Sequence, residues 1–291
     1  MDTREVLRRV RRIEIRTKHL VEEVFAGQSE SVFKGRGIEF ADVRPYIHGD
    51  EVRDIDWNVT ARLGQPFVKR FVDEKELTVL LVVDVSGSLD FGSQEYSKRE
   101  LVAELGSLLA FAALKNDGRV GLVLFSDQLE LYVAPRRGRT QVLRIVRDLL
   151  THETKGVGTS WQAGLEFANR LLRRRSVVFL LSDFLVPPDN RLFRITGRRH
   201  DLISMWIEDP RETELPRIGW VELEDLETGR RRAIDTSNPR VREAYRAARS
   251  EAKRRAMKTL KASRVDHVLL STAQSYLPPL LRYFSERRRR R

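Results

Sequence analysis

The stretch that decides the fold reads Thr78-Val79-Leu80-Leu81-Val82-Val83-Asp84-Val85-Ser86-Gly87-Ser88. Its first part is a continuous run of leucines and β-branched residues, which is typical of a strand buried on both faces of a parallel sheet. The run ends at Asp84, and hydroxyl side chains follow at Ser86 and Ser88. Gly87 allows a tight turn, so that one carboxylate and two hydroxyls can converge on one point. Hard oxygen ligands of low total charge suit a cation such as Mg²⁺ that keeps several water ligands.

The composition predicts a globular protein with a substantial core. The 291 residues are 41% hydrophobic, which suits one large domain or one domain with an appendage. The absence of cysteine excludes a disulfide framework, a thiolate zinc site and a cysteine nucleophile. No apolar run approaches the roughly 20 residues of a membrane span, and the amino-terminal segment 2–12 is charged throughout. We therefore expect a cytoplasmic protein.

The net charge of +12 is concentrated towards the carboxyl end. Residues 240–291 contain sixteen Lys and Arg against four Asp and Glu, so the rest of the chain is neutral. The chain ends in five consecutive arginines, Arg287 to Arg291, a pattern typical of a solvated and disordered tail. Such a tail also suits contact with nucleic acid or with an acidic partner surface.

Further segments predict a sheet around the first strand. Continuous apolar runs at 119–126, 176–181 and 202–207 are strand candidates, and amphipathic helical patterns lie between them. The order of elements predicts an α/β fold with a mostly parallel central sheet flanked by helices and with an antiparallel edge at 129–133. A β-hairpin and a long basic helix form an insertion at about 210–263. The carboxyl ends of the parallel strands lie at one edge, where such sheets bind ligands.

Oxygen atoms from three segments are expected at this edge. Asp84 ends one predicted strand, Asp183 directly follows another, and Thr159 lies on the glycine-containing loop 156–160. An isolated D-x-S-x-S pattern also fits a strand that runs into a polar turn. The convergence of three segments favours a metal site over that alternative.

The segment from Gly35 to Arg70 has a different texture. Glycines and a proline interrupt it, Arg, Asp and aromatic residues are frequent, and only residues 65–72 alternate enough to predict a strand. An enzyme interpretation of His48, Asp50 and Asp56 is open. A structural network of ion pairs and stacked side chains is favoured.

The pattern Asp84-x-Ser86-x-Ser88, together with Thr159 and Asp183, resembles the metal-ion-dependent adhesion site of von Willebrand factor A domains. The resemblance implies a Rossmann-like fold in which the two serines and the threonine ligate Mg²⁺ or Mn²⁺. The two aspartates would act directly or through water, and a carboxylate of a partner protein would complete the coordination. The chain departs from the family at Ser182-Asp183-Phe184, where many of these domains have Thr-Asp-Gly.

A second resemblance covers most of the chain. The segment 35–70 is similar to the signature of the bacterial "domain of unknown function 58" proteins, which join it to a von Willebrand A-like domain. Segments 209–216 and 227–229 also resemble the later part of that family. The matching signature residues are Arg44, Tyr46, Gly49, Asp50, Arg53, Asp56 and Trp57.

These resemblances imply three parts. Residues 1–74 would form an amino-terminal helix and the signature segment, packed on the main domain with Trp57 as the apolar anchor. Residues 75–286 would form the von Willebrand A-like domain with its insertion. Residues 287–291 would be the basic tail.

The chain lacks the signatures of common enzyme classes. It has no G-x-S-x-G, P-loop or H-E-x-x-H motif, and its five histidines are scattered without ligand spacing. We therefore predict a metal-dependent protein-interaction module and not an enzyme. The family resemblance implies a MoxR-type AAA+ ATPase as the partner in chaperone-like assembly or maturation. The alternative is a nucleic-acid-binding protein that uses the basic carboxyl-terminal helix and tail.

Overall fold

The structure is a computed structural model, which describes residues 8, 10–15, 17, 20, 38–73, 77–94, 96–224 and 229–290. The chain forms two compact units, one of Met1–Phe33 with Leu77–Arg291 and the other of Lys34–Glu76. This division differs from the expected one, because the amino-terminal helical residues belong to the larger unit. Val10, on this helix, is buried in the core of that unit.

The predicted mostly parallel α/β sheet is confirmed. The strands of the described residues are, in chain order, β1 Ile38–Pro45, β2 Phe67–Asp73, β3 Thr78–Asp84, β4 Arg119–Phe125, β5 Leu129–Arg136, β6 Val177–Ser182, β7 Asp201–Glu208, β8 Trp220–Glu224, β9 Arg231–Asp235 and β10 Asp266–Ser271. The larger unit contains a six-stranded sheet of order β10-β7-β6-β3-β4-β5. Its neighbours run parallel except at β5, which is the antiparallel edge.

Helices cover both faces of this sheet. The helices of the described residues that have printed bounds are α1 Trp57–Leu63, α2 Lys98–Lys115, α3 Arg139–Thr151, α4 Phe167–Leu171, α5 Asn190–Arg199, α6 Pro210–Thr213, α7 Pro239–Ala262 and α8 Leu277–Arg290. Side chains of α2, α3 and α8 pack into one core cluster, and those of α4, α5 and α7 pack into the other. A π-helix at Gln162–Glu166 runs directly into α4.

Strand β3 is the centre of this arrangement. Its alternate residues face opposite cores, with Val79, Leu81 and Val83 in one and Leu80 and Val82 in the other. All five side chains are completely buried. Burial of a valine or leucine contributes about 1.5–3 kcal/mol, so this strand fixes the position of both helix layers.

The smaller unit contains a strand that the sequence did not predict. β1 pairs antiparallel with β2, and the register shifts between Phe40 and Asp42. A β-bulge of this kind places one extra residue in the strand and interrupts the alternation of side chains. The period-2 pattern is therefore missing from the sequence although the strand is present.

Several signature residues of the smaller unit have structural roles. The Arg44 guanidinium donates two hydrogen bonds to the Asp50 carboxylate, at 2.7 and 2.8 Å. Gly49, in the turn between them, has a φ of 108°, which favours glycine. The Asp56 carboxylate caps α1 by accepting from two backbone N–H groups of its first turn, at 3.0 and 3.2 Å. These contacts are those of a folded structural element.

Three signature residues make fewer contacts. Tyr46 donates its backbone N–H to the Pro66 carbonyl at 2.9 Å, and Arg53 pairs with the exposed Glu51. The Trp57 side chain is 64% exposed. That Trp57 anchors this unit to the larger one stays a prediction.

The carboxyl-terminal arginines differ from the disordered tail that the sequence predicted. Helix α8 continues to Arg290, and Arg287 is buried beside it. Its guanidinium donates to Asp266 at 2.8 Å and also pairs with Asp201, and these carboxylates begin the adjacent strands β10 and β7. The two carboxylates supply the charge that orders this arginine.

We predict that Arg287→Ala lowers the free energy of unfolding by about 2 kcal/mol, because it leaves two partly buried carboxylates without their shared cation. Arg289→Ala removes the same charge from an exposed position and should change stability by less than about 0.5 kcal/mol. Urea unfolding of both variants measures the difference. Equal stabilities would show that the five arginines act only as a tail.

Candidate functional site

The carboxylate of Asp84 lies where β3 and β6 end side by side. One of its oxygens accepts a hydrogen bond from the Ser182 hydroxyl at 2.7 Å. The other accepts from the backbone N–H of Ser86 at 3.0 Å. The parallel pairing of β3 with β6 places the ends of the two strands next to each other, so the aspartate is held from both strands.

The two serines of the first motif come together beside this carboxylate. A short 3-10 helix at Gly87–Asp90 turns the chain after β3. The hydroxyl oxygens of Ser86 and Ser88 are 3.1 Å apart, and both residues are buried. Neighbouring oxygens around an octahedral Mg²⁺ with bonds of about 2.1 Å are separated by about 3 Å. The spacing of the two hydroxyls therefore fits two adjacent metal ligands.

Asp84 is more deeply buried than the sequence suggested. We expected it to face solvent, but only 1% of the residue is exposed. Burial raises the pKa of Asp84 from its ordinary 3.8 to about 7, and repulsion from Asp183 adds to this. Hydrogen bonds from Ser86 and Ser182 oppose the shift without cancelling it.

Asp183 is paired with a buried lysine that sequence reasoning did not identify as a functional residue. The Lys98 ammonium is completely buried and donates to the Asp183 carboxylate at 2.7 Å. It also donates to Glu212, on α6. Burial alone would lower the pKa of Lys98, but attraction to Asp183 and Glu212 outweighs burial and the pKa is raised. The sequence showed Lys98 only as the first residue after a helix cap.

Thr159 lies on a loop whose two ends are bonded near the carboxyl ends of β3 and β4. The Thr154 hydroxyl donates to the Val85 carbonyl at 2.7 Å, and the Ser160 N–H donates to the Ser126 carbonyl at 2.8 Å. These bonds place the half-buried Thr159 at the same edge of the sheet as Asp84.

Glu130 holds the first part of this loop. Its carboxylate accepts from the Gly156 N–H and the Ser126 hydroxyl, each at 2.7 Å. Burial would raise the pKa of Glu130, but these hydrogen bonds lower it to about 2. A side chain at Gly156 is excluded, because its Cβ would lie 2.1 Å from the Ser126 hydroxyl. The close approach explains the glycine at this position.

The residue after Asp183 has a strained backbone. Phe184 has a φ of 55°, in the left-handed region that favours glycine. The ring is buried, stacks on Trp161 at 5.3 Å and lies 5.0 Å from Trp206. Aromatic packing therefore holds the conformation that glycine would adopt without strain, which accounts for the departure from Thr-Asp-Gly.

The donor set suits a hard cation that is bound mainly by hydroxyl groups and water. Within the described residues, no three His, Cys, Asp or Glu side chains are grouped as metal ligands. The structure brings Asp84, Ser86 and Ser88 together and places Asp183 close enough to repel Asp84. This arrangement fits Mg²⁺ or Mn²⁺.

The fold and this edge of the sheet are those of a von Willebrand A-like protein. The chain matches the family "Protein of unknown function DUF58" over residues 42–255 and belongs to that family. Uncharacterized proteins of Mycobacterium bovis and Mycobacterium tuberculosis are 30% identical over 285 residues, which cover 96% of this chain and 89% of each relative. An uncharacterized protein of the moxR 3' region of Paracoccus denitrificans is 38% identical over 72 residues, which cover 24% of this chain and 69% of that protein.

Solved structures share the fold at low sequence identity. An aerotolerance-related membrane protein from Bacteroides fragilis has a TM-score of 0.51 at 11% identity, with 72% of this chain and 99% of that chain covered. The von Willebrand A domain of SpRpn10 has a TM-score of 0.40 at 14% identity, with 70% and 93% covered. An uncharacterized membrane spanning protein from Vibrio fischeri has a TM-score of 0.29 at 16% identity, with 72% and 97% covered.

The expected cytoplasmic location is contradicted by these comparisons. Two of the structural neighbours are described as membrane proteins, so the expectation is withdrawn. Among the described residues, no helix has the length and hydropathy to cross a membrane.

We predict that Asp84→Asn stabilises the metal-free protein at pH 8. The raised pKa means that ionised Asp84 costs folding free energy above about pH 7, and that this cost disappears below the unfolded-state pKa. The variant should therefore gain about 1–3 kcal/mol at pH 8, and the gain should shrink towards pH 4. Urea unfolding at both pH values measures this, with the exposed Asp90→Asn as control. A loss of stability at pH 8 would contradict the prediction.

We predict that Lys98→Met destabilises the protein by about 3–5 kcal/mol, because it leaves two buried carboxylates without a cation. Adding Glu212→Gln should recover part of the loss, since one of the two charges is then removed. Thermal unfolding in EDTA tests this, with the exposed Lys155→Met as the matched control. A change no larger than that of the control would show that the ion pairs are energetically unimportant.

Proposed function

We propose that this protein is a metal-dependent protein-interaction module. Mg²⁺ or Mn²⁺ would be held by Ser86, Ser88 and Thr159, with Asp84 and Asp183 bound directly or through water. A carboxylate from a partner protein would take the remaining position. The metal would supply a positive centre that draws this carboxylate to the edge of the sheet.

The charge of the buried cluster carries the proposal. Three buried carboxylates, Asp84, Asp183 and Glu212, share the single buried ammonium of Lys98. With all three ionised, two negative charges remain uncompensated, and a single divalent cation would neutralise them. The adjacent serine hydroxyls offer ligands at the required spacing.

We further propose that the partner is a MoxR-type AAA+ ATPase and that the pair acts in chaperone-like assembly or maturation. The Paracoccus denitrificans relative, which lies in the moxR 3' region, supports this choice. A binding role is proposed over catalysis because the contacts described for Asp84 are hydroxyl and backbone N–H groups, which are poor general bases.

The nucleic-acid alternative has less support. It relied on the basic carboxyl-terminal helix and tail, but Arg287 uses its charge on Asp201 and Asp266 inside the fold. A steep salt dependence of binding to generic duplex DNA would favour it.

We predict that Ser86→Ala/Ser88→Ala weakens Mn²⁺ binding by about 10- to 100-fold, as loss of ligands does at metal sites. Calorimetric titration with MnCl₂ measures this, and Ser285→Ala, on exposed helix α8, is the control. The wild-type protein should retain the MoxR-type ATPase of the same organism in Mg²⁺ and release it in EDTA. The double variant should not retain it in either buffer.

Two results would contradict the proposal. Equal Mn²⁺ affinity of the double variant and the wild type would exclude this metal site. Retention of the ATPase that is unaffected by EDTA would exclude metal-dependent binding of that partner.

A further inference from the structure

A groove of 840 Å³ lies beside the candidate metal site in the larger unit. Ser88 and Glu212 are among its lining residues, so the groove is continuous with the buried cluster. The hairpin of β8 and β9 forms one wall, and α7 contributes Tyr245 and Arg249.

The hairpin turns one defined face towards the groove. Val221 pairs with Ile234 and Leu223 pairs with Arg232, and all four line the groove. Because successive side chains of a strand point to opposite faces, Arg231 belongs to the other face. Arg231 pairs there with Glu224 at 3.1 Å.

Most of the lining is apolar and incompletely covered. Leu223 and Phe91 are each 36% exposed, and the neighbouring Ile218 is 65% exposed. Apolar side chains of this size contribute to binding when a partner covers them. The remaining apolar lining residues include Leu185, Val186, Leu215 and Pro216.

The polar part of the lining is positively charged. Four arginines line the groove, namely Arg211, Arg230, Arg232 and Arg249. The two carboxylates of the lining are engaged by other cations, since Glu212 pairs with Lys98 and Glu224 pairs with Arg231. The groove therefore offers apolar contacts and arginine charge at the same time.

We propose that this groove binds a segment of the partner protein in which apolar residues are interspersed with aspartate or glutamate. Its apolar side chains would cover Val221, Leu223 and Ile234, and its carboxylates would pair with the arginines. The proposal deepens the proposed function, on which it rests for one point, that a carboxylate of this segment reaches the metal near Ser88. A concave groove favours a peptide over a membrane surface, which would require a protruding apolar face.

The test uses the full chain and a short fluorescein-labelled peptide in which leucines are separated by glutamates, followed by anisotropy in Mg²⁺. Matched peptides carry lysine for glutamate or serine for leucine. The first peptide should bind at least about tenfold more tightly than either matched peptide, as loss of anchor contacts predicts. Arg232→Ala and Leu223→Ser should each weaken binding about three- to tenfold. Arg231→Ala, which removes the same charge from the opposite face, should not.

Several outcomes would overturn the proposal. These are equal binding of the acidic and lysine peptides, or equal effects of Arg231→Ala and Arg232→Ala. Binding to phosphatidylcholine vesicles containing phosphatidylglycerol, lost in Leu223→Ser without any peptide binding, would identify a membrane surface instead. A dimer in sedimentation that becomes monomeric in the same variant would identify a second copy of the chain.

The metal is tested separately from the groove. Peptide binding that depends on Arg232 but is the same in EDTA and in Ser86→Ala/Ser88→Ala supports the groove and counts against the metal-dependent function. Peptide binding that needs Mg²⁺ but is insensitive to Arg232→Ala and Leu223→Ser supports the metal site and overturns the groove.

Discussion

The buried ammonium of Lys98 is the interaction on which the candidate site depends. It joins Asp183, which follows β6, to Glu212 on α6, so it ties the sheet edge to the segment that precedes the hairpin. Each of these charges is costly to bury alone, and their pairing makes the arrangement tolerable. The helix that carries Lys98 begins with a capping box of Ser97 and Glu100, which fixes the entry of the lysine into the core.

A second buried carboxylate organises the same edge from the side of β7. Asp209 accepts hydrogen bonds from the Ser93 N–H at 2.9 Å and from the Thr272 hydroxyl at 2.8 Å. These bonds connect the segment after β3 with the end of β10, and they hold the pKa of Asp209 below its usual value despite burial. The edge is thus a connected set of polar contacts, and the groove shares one wall of it.

Much of the fold could be predicted from the sequence because the central strands are continuous apolar runs. β3 and β6 show this pattern without interruption, and Asp84 and Asp183 mark their ends. Their meeting follows from strand direction alone. The bulged β1 could not be predicted, because a bulge removes the alternation on which strand prediction relies.

The missed site residues share a different cause. Lys98 and Arg287 are charged, and charged residues in helix termini or basic runs are usually exposed. Their burial depends on carboxylates that lie far away in the sequence, at Asp183 and Glu212 in one case and at Asp201 and Asp266 in the other. Only the packed structure brings such partners together.

The position of Arg287 has a consequence for synthesis of the chain on the ribosome. Strand β7 borders β10, and both β10 and the arginine that bridges them come from the end of the chain. Because the amino-terminal parts emerge first, β7 waits as an open sheet edge while its neighbour is still being translated. Open edges pair readily with other chains. The nascent protein therefore presents an aggregation-prone strand until its last residues leave the ribosome.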